Sequence, residues 1–404
     1  MKSLKLRILT GFAILSRCIG HARAAAVSSN RFTMRSIFRL LVLILAALFF
    51  SAAASATDYY SAPGGITSGT CHLATTPCDL TYTLSIAGTG DRISLAPGLY
   101  TPTTTLTATF SVSFVGSGST TTTVKPTGLS GSSCGFYFAN TPTVDQVYVS
   151  FSAMTIDGSA STSSPVCFGP GANISLDRTV IANSPAAGIS TASSPLYSIS
   201  LLESAIVGNG SGIVINSGIS SGRIAVNRSL IAGNTGRGVN GSGAVFGSFT
   251  NSTITNNAGG GLTLSGNVGN YISDSTIANN GSGLNSAILG SSVSVIRSVI
   301  AGTCSGTFGS YSVESPGNTC NLSGANSLVN VSVGQLSLAA LADNGGPTQT
   351  LMLQPTSYAI GVAGTECAAV DQRDFVRSLP CDAGAIQANA TKSDELFSAD
   401  FEAF

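Results

Sequence analysis

The middle of the sequence repeats itself with a period of 23 to 25 residues. A Ser/Thr-x-Ile pattern marks each repeat, and its isoleucines are spaced 25, 25, 23, 23 and 23 residues apart: Ile181, Ile206, Ile231, Ile254, Ile277 and Ile300. Asparagines form a second column three positions after four of these anchors: Asn209, Asn234, Asn257 and Asn280. A weaker copy, anchored on Met154, precedes the series. Self-similarity at such a period indicates stacked structural repeats.

Each repeat holds three short apolar stretches, separated by Gly, Asn and Ser, with an alternation of period two. This pattern is typical of strands rather than helices, and the unit is too short for a pair of helices. We therefore predict an all-β fold, a right-handed parallel β-helix built as a solenoid of 23–25-residue coils, with N- and C-terminal caps. A β-sandwich is the structural alternative, but it does not explain a fixed period. Stacked asparagines suit the tight corners between strands and can bond to one another from turn to turn.

The flanking sequence divides the rest of the chain. Residues 57–90 are predicted as an N-terminal cap, residues 91–303 as the parallel β-helix, residues 304–390 as the last coils with a C-terminal region, and residues 391–404 as an acidic tail. Solenoids need such capping units because an open end would expose the core.

Residues 1–56 have the pattern of a secretory signal. Read from Met34, which we take as the true start, Arg35 and Arg39 precede an apolar run over residues 40–50, and Ala54-Ser55-Ala56 supplies a cleavage site. Eleven apolar residues are fewer than the roughly 20 of a membrane span, so an uncleaved anchor is the weaker alternative. We expect a secreted or outer-surface protein with no transmembrane segment after signal removal.

Eight cysteines follow the signal, and they fall into four sequence-local pairs. Neighbour pairing is the simplest arrangement in an oxidising compartment, although eight cysteines allow 105 connectivities. The predicted pairs are Cys71 with Cys78, Cys134 with Cys167, Cys304 with Cys320, and Cys367 with Cys381. Because no C-x₂-C motif occurs and His72 is the one histidine after the signal, we expect no metal site and no cofactor.

The charge balance excludes a basic nucleic-acid binder. The net charge of zero combines eight basic residues and no acid in residues 1–56 with 10 basic and 18 acidic residues in the remainder, which makes the mature chain −8. Nucleic-acid binding requires a positive footprint, so we expect no such partner.

The third position before each anchor is a largely polar column whose charges alternate in sign, and we expect it to face solvent. Its members are Phe151, Arg178, Glu203, Arg228, Asn251, Asp274 and Arg297. Glu203 and Asp274 lie three turns apart, about 14 Å, too far for a glycosidase pair. Asp177 and Glu203, on adjacent turns, are close enough. If the chain is an enzyme, the candidate catalytic residues are Arg178, Glu203, Arg228 and Asp177. The alternative is in-register stacking that avoids like-charge neighbours.

The C-terminal region carries a further set of motifs: Leu341-Ala342-Asp343-Asn344-Gly345-Gly346-Pro347, Asp371-Gln372-Arg373 and Cys381-Asp382-Ala383-Gly384-Ala385. This region resembles the choice-of-anchor Q domain, and the coils resemble pectin-lyase-like β-helix proteins. The resemblance implies a bacterial secreted or surface protein. Within the Cys367–Cys381 loop, we predict that Asp371, Arg373, Asp374 and Arg377 form salt bridges that hold the C-terminal cap, with ligand binding as the alternative.

Together these features predict a secreted or cell-surface β-helix protein, non-catalytic, that binds or displays a partner on its flat face. Surface glycans or envelope components are the expected partners. The alternative is a carbohydrate-active enzyme, a polysaccharide lyase in particular, and a purely structural envelope role is a third reading of the same pattern.

Overall fold

The computed structural model describes residues 56–142, 144, 146–191, 198–215, 222–241, 245–264, 269–281 and 287–392. The predicted signal segment lies outside the described residues except for Ala56, and the acidic tail does so from residue 393 onward. No helix among the described residues is long and apolar enough to cross a membrane.

Nearly all of the regular secondary structure consists of short β-strands. In chain order the solenoid consists of β1 (Asp58–Ile66), helix α1 (Leu80–Ile86), β2 (Asp91–Leu95), β3 (Gly98–Tyr100), β4 (Leu106–Ala108), β5 (Val112–Val115), β6 (Thr122–Val124), β7 (Phe136–Phe138), β8 (Val147–Ser152), β9 (Thr155–Asp157), β10 (Val166–Phe168), β11 (Ala172–Asp177), β12 (Val180–Ala182), β13 (Ala187–Thr191), β14 (Ser198–Leu202), β15 (Ala205–Val207), β16 (Ser211–Ile215), β17 (Gly222–Asn227), β18 (Leu230–Ala232), β19 (Val239–Gly241), β20 (Val245–Thr250), β21 (Thr253–Thr255), β22 (Leu262–Leu264), β23 (Asn270–Ser273), β24 (Thr276–Ala278), β25 (Ile288–Ile296), β26 (Val299–Ala301), β27 (Cys304–Ser310) and β28 (Val313–Ser315). Helix α2 (Val333–Leu336), β29 (Leu338–Ala342), β30 (Thr350–Leu353), β31 (Phe375–Val376) and β32 (Thr391–Lys392) follow.

The strands stack in three parallel faces, which confirms the right-handed parallel β-helix. Face 1 runs β1–β2–β5–β8–β11–β14–β17–β20–β23–β25–β27, face 2 runs β3–β6–β9–β12–β15–β18–β21–β24–β26–β28, and face 3 runs β4–β7–β10–β13–β16–β19–β22–β25. Each coil from β2 to β22 therefore contributes one strand to each face. Faces 1 and 3 merge at β25 and β27, because each of these longer strands pairs within both.

The core is a continuous apolar column inside the coils. The anchoring isoleucines stack in register on face 2 and are fully buried: Ile156, Ile181, Ile206, Ile231, Ile254, Ile277 and Ile300. Near the N-terminal end four phenylalanine rings cluster, with Phe114 and Phe136 centred 5.3 Å apart. Helix α1 closes that end by adding Leu80 and Leu84 to the core.

The register corrects one detail of the repeat. The pairing aligns Ile156, not Met154, with Ile181. Phe151 consequently aligns with Leu176 and points into the core, and Ala153 takes the place in the polar column that the sequence pattern had assigned to Phe151. The weaker copy of the repeat was therefore placed two residues too early, because Met154 is as apolar as Ile156, the true anchor.

Two side-chain ladders fasten the corners of the coils. At the corner after face 1, the backbone N–H of one serine donates to the hydroxyl of the next, over Ser204, Ser229, Ser252, Ser275, Ser298 and Ser312. At the corner after face 2, Asn209, Asn234, Asn257 and Asn280 bond from coil to coil, with amide-to-amide distances of 3.2, 2.7 and 2.9 Å. The predicted turn-to-turn asparagine contacts are confirmed. Left-handed backbone conformation falls one residue earlier, at Gly208, Gly233, Asn256 and Asn279.

The chain after the solenoid folds back along face 2, and we call residues 338–388 the flap. Leu341 packs on Ala205, Leu230 and Ala232, whose side chains point outward from face 2. Further along, Leu353 and Ala383 belong to the same apolar cluster as Val299 and Val313. The flap thus packs on face 2 as a second apolar layer. This explains why the outward positions of these strands are apolar as well as the inward ones.

All four predicted cysteine pairs are disulfides: Cys71–Cys78, Cys134–Cys167, Cys304–Cys320 and Cys367–Cys381. Cys134 lies two residues before β7 and Cys167 lies in β10, so this bond joins adjacent coils on face 3. The disulfides fit the extracellular location expected from the sequence.

Candidate functional site

The polar column lies at the corner between faces 1 and 2. Every member has a left-handed backbone with φ between 45° and 54°: Ala153, Arg178, Glu203, Arg228, Asn251, Asp274, Arg297 and Tyr311. The corner must turn within one residue before the serine ladder begins, and a long side chain at such a position extends away from the core. Long polar side chains, rather than glycines, therefore cover this edge of the solenoid.

The four candidate residues come together at this corner. Arg178 Nη2 lies 3.1 Å from Asp177 Oδ2, and Arg228 Nη2 lies 2.6 Å from Glu203 Oε1 on the adjacent coil. Arg228 also bonds Asp374 of the flap. The hydroxyl of Ser152 donates to Asp177 at 3.1 Å. Each of the two carboxylates therefore forms an ion pair with an arginine of this corner.

Farther along the column the flap buries the polar side chains. Asp274 is 1% exposed and is held by Arg297 through two bonds of 2.9 Å, and Asn251 is 5% exposed beneath Arg377. The expectation that the whole column faces solvent was wrong, since the returning chain covers its C-terminal half. Opposite charges in adjacent coils do pair, at Arg228–Glu203 and Arg297–Asp274, as the stacking interpretation predicts.

The charged residues of the Cys367–Cys381 loop hold the flap. Asp371 and Arg373 form a buried pair at 2.7 Å, and Arg377 donates to the Asn251 side chain at 3.1 Å. Burial lowers the pKa of Arg377, and the carboxylates of Asp274, Asp371 and Asp382 oppose this effect. Asp374 pairs with Arg228 of the solenoid, so three of the four predicted residues form salt bridges. Arg377 instead holds the solenoid through its hydrogen bond to Asn251.

A cleft of about 400 Å³ opens where the exposed part of the column meets the flap. It is lined by residues 117–120, by Ala153, Arg178, Val180, Glu203 and Ala205, and by Pro347 and Thr348 of the flap. The Arg178 side chain is 61% exposed, and the Glu203 side chain is 19% exposed. Hydrogen bonding to Asp177 raises the pKa of Arg178. Two of the four candidates therefore line one cleft, and the other two are their ion-pair partners.

A second concavity, a groove of about 270 Å³, lies on face 1. Its walls and floor come from four adjacent coils: Ser113, Tyr148, Val149, Ser150, Asn173, Ile174, Ser175, Ser198 and Ser200. Tyr148 is 59% exposed, and its hydroxyl donates to Gln146. The register places Asn173 beside Tyr148, and Ser150 beside Ser175. The groove therefore combines one aromatic ring with a row of serine hydroxyl groups on adjacent strands.

Sequence reasoning missed this groove because it followed the charged column. The signal was present in the alternation of β8, where Val147, Val149 and Phe151 point inward and Tyr148 necessarily points outward. An aromatic residue at an outward position of a coil was the feature that marked this surface.

His72 lies in the N-terminal cap, where its ring contacts Tyr59 at 4.9 Å and Nδ1 lies 3.2 Å from the Asp58 carbonyl. No group of three or more His, Cys, Asp or Glu side chains among the described residues is placed to hold a metal ion.

No protein-family description and no curated protein matches the chain. Among solved structures, the chain is similar to pectate lyase Pel9A, with a TM-score of 0.54 and 14% sequence identity over 84% of this chain and 98% of that one. The A-module of the mannuronan C-5 epimerase AlgE6 of Azotobacter vinelandii is a more distant match, with a TM-score of 0.26 and 15% identity over 60% of this chain and 90% of that one. The likeness to the pectate lyase shows that the two chains share the parallel β-helix fold.

Proposed function

We propose that this protein is a secreted or surface-exposed, non-catalytic binder of extended glycans, which lie across the coils in the groove on face 1. The observation that carries the proposal is the position of Tyr148 beside the hydroxyl and amide groups of Ser150, Asn173 and Ser175. An exposed aromatic ring offers an apolar platform to the C–H face of a sugar, and the neighbouring polar groups match its hydroxyls.

Three further observations support this proposal. The fold is shared with a protein named as a pectate lyase, whose substrate is a polysaccharide. The repeat of parallel strands places equivalent side chains about 4.8 Å apart along the groove, which suits a long polymer. The four disulfides suit an extracellular protein that meets surface glycans or envelope components. We also propose that a signal peptide is cleaved after Ala56 and that the C-terminal region is a choice-of-anchor Q domain.

The test is binding of the mature chain to a panel of neutral and acidic polysaccharides. Replacing Tyr148→Ala removes the aromatic platform, and we expect the affinity for the best polysaccharide to fall about tenfold, which is about 1.4 kcal/mol. Tyr358→Ala is the matched control, because Tyr358 is 51% exposed but lies on the flap. Equal losses in both variants, or no binding to any polysaccharide, would refute the proposal.

The alternative is a polysaccharide lyase that uses Arg178, Glu203, Arg228 and Asp177 at the corner between faces 1 and 2. The observation in its favour is that these residues do assemble, with Arg178 and Glu203 in one cleft. Incubation with a polyuronate panel, followed by detection of unsaturated products, tests it. Turnover that Arg178→Ala abolishes would favour the enzyme. Arg228→Ala is less informative, because Arg228 also holds Asp374 of the flap.

A further inference from the structure

The cleft between the corner and the flap is preformed. Residues 117–120 are fixed on the solenoid, because Gly118 N donates to the Ala153 carbonyl at 2.8 Å and the Thr155 hydroxyl donates to the Ser119 carbonyl at 2.6 Å. On the opposite side, the Thr348 hydroxyl accepts a bond of 2.9 Å from buried Gln372. Both walls are therefore held before any ligand arrives, which reduces the entropy lost on binding.

The composition of the cleft combines a small apolar floor with polar walls. Ala153, Val180 and Ala205 supply the apolar surface, and Arg178 and Glu203 supply charged groups at one corner. The volume, about 400 Å³, lies within the range of roughly 300–1,000 Å³ that small-molecule sites occupy. Because the solenoid and the flap wall the cleft on two sides, it suits a compact ligand.

The charges at the corner decide the class of ligand. Two arginines, Arg178 and Arg228, face three carboxylates, Asp177, Glu203 and Asp374, so the connected cluster has a net charge of −1. An acidic ligand gains no net attraction there. A neutral polyol fits better, because its hydroxyls both donate to the Glu203 carboxylate and accept from the exposed Arg178 guanidinium.

We propose that this cleft, formed by residues 117–120, Arg178, Glu203 and Thr348, is a second binding site that takes a single neutral sugar unit. The proposal takes its ligand class from the proposed glycan-binding function. Arg178 donates to vicinal hydroxyls, Glu203 accepts from one of them, and the apolar floor contacts the ring. The site lies around the corner from Tyr148's groove, since Ala153, Arg178 and Glu203 follow the groove residues Ser150, Ser175 and Ser200 by three positions on the same coils.

The experiment titrates the mature chain with D-glucose, D-galactose, D-mannose and D-glucuronate, and follows binding by calorimetry and ligand-observed NMR. We expect at least one neutral sugar to bind, and D-glucuronate to bind at least tenfold more weakly than that sugar. Arg178→Ala is expected to weaken binding of the neutral sugar at least tenfold. Glu203→Gln keeps the side-chain volume and is expected to weaken it as well. Arg92→Ala is the matched control, since Arg92 is an exposed arginine that pairs only weakly with Asp58, at 3.9 Å.

The outcomes separate this site from the groove. Tyr148→Ala is expected to leave monosaccharide affinity within twofold of the parent while it weakens polysaccharide binding. If polysaccharides bind but none of the four monosaccharides does, the second site is refuted and the proposed function stands. If a monosaccharide binds and only Arg178→Ala and Glu203→Gln weaken it, the second site stands even where polysaccharides fail. Tighter binding of D-glucuronate than of every neutral sugar would also refute it.

Discussion

At the residue scale, the polar columns of the repeat serve two different purposes. The serine and asparagine columns are buried, and their hydrogen bonds satisfy backbone groups at the corners. Asn257, for example, is fully buried, accepts from both the backbone and the side chain of Asn234, and donates to the Ile231 carbonyl at 3.1 Å and to Asn280 at 2.9 Å. The charged column stands one residue before the serines, and its side chains form ion pairs between coils or hydrogen bonds with the flap. Adjacent positions of one repeat thus bond on the inner and the outer side of the same corner.

Asn257→Ala is predicted to destabilise the fold by about 2–4 kcal/mol, because it leaves the Ile231 carbonyl and the Asn234 amide groups buried without partners. Chemical denaturation followed by circular dichroism measures the loss. Asn227→Ala is the control, since Asn227 lies on exposed β-strand surface, and we expect it to change stability by less than about 0.5 kcal/mol. Similar losses for the two variants would contradict a structural role for the ladder.

Gly212→Ala is predicted to destabilise the coils, because an added Cβ would lie 2.2 Å from the Gly238 carbonyl oxygen of the next coil. Such overpacking costs about 1–3 kcal/mol. Gly334→Ala, where a Cβ meets nothing within 4 Å, is the matched control. Thermal unfolding of the two variants in parallel measures the difference, and equal midpoints would show that the coils tolerate the close approach.

At the element scale, the flap makes the two halves of the solenoid differ, because it covers the polar column in the C-terminal half only. Gln372 links it to two coils, since its side-chain oxygen accepts from the Thr253 hydroxyl at 2.6 Å and its nitrogen donates to the Ser229 carbonyl at 3.2 Å. The Ala385 N–H donates to the Thr276 hydroxyl at 2.9 Å. These bonds bridge adjacent coils and position Thr348 at the cleft. The flap therefore contributes to stability and forms one wall of the proposed second site.

Gln372→Ala is expected to loosen the flap without unfolding the coils. The variant leaves buried partners on both sides unpaired, at a cost of about 2–4 kcal/mol. Limited proteolysis and hydrogen exchange, read by mass spectrometry, are expected to show faster cleavage and exchange in residues 338–388 and little change in β8–β14. Gln349→Ala, at an exposed position of the same flap, is the control. Uniform exchange along the whole chain in the Gln372 variant would contradict a separable flap.

At the scale of the whole molecule, the protein is a one-dimensional stack in which each coil contacts mainly its neighbours. The disulfides follow this order, since each closes a short segment of 7 to 33 residues. The flap is the exception, because it bonds to coils more than 100 residues earlier in the chain. The stability of the fold is therefore the sum of local interactions along the stack and of the long-range contacts between the flap and the coils.

Replacing both cysteines of the Cys134–Cys167 pair by serine is predicted to cost more stability than replacing Cys71 and Cys78. In the chain-entropy description, a closed segment of 33 residues is worth about 3.7 kcal/mol and one of 7 residues about 2.4 kcal/mol. Urea denaturation of the two double variants under non-reducing conditions measures the difference of about 1.3 kcal/mol. The reverse order would mean that the disulfides act chiefly on the folded state.

The sequence by itself determined the coil. The 23–25-residue period predicts the parallel strands, the buried isoleucine column and the asparagine contacts, because all of these arise between neighbouring repeats. The spacing of the cysteines predicts the local disulfides. It also brought Asp177, Arg178, Glu203 and Arg228 to one corner, since equivalent positions of adjacent coils must stack. What these residues bind is a proposal.

Only the tertiary structure decided where the flap lies, and with it which charges are exposed. Asp274 and Asn251 occupy the same column as Arg178 and Glu203, yet the former are buried and the latter line a cleft. No periodicity distinguishes them, because the difference comes from a non-repeating segment that packs its own apolar side chains against face 2. Contacts across more than 100 residues depend on that packing, whereas contacts between coils follow from the repeat alone.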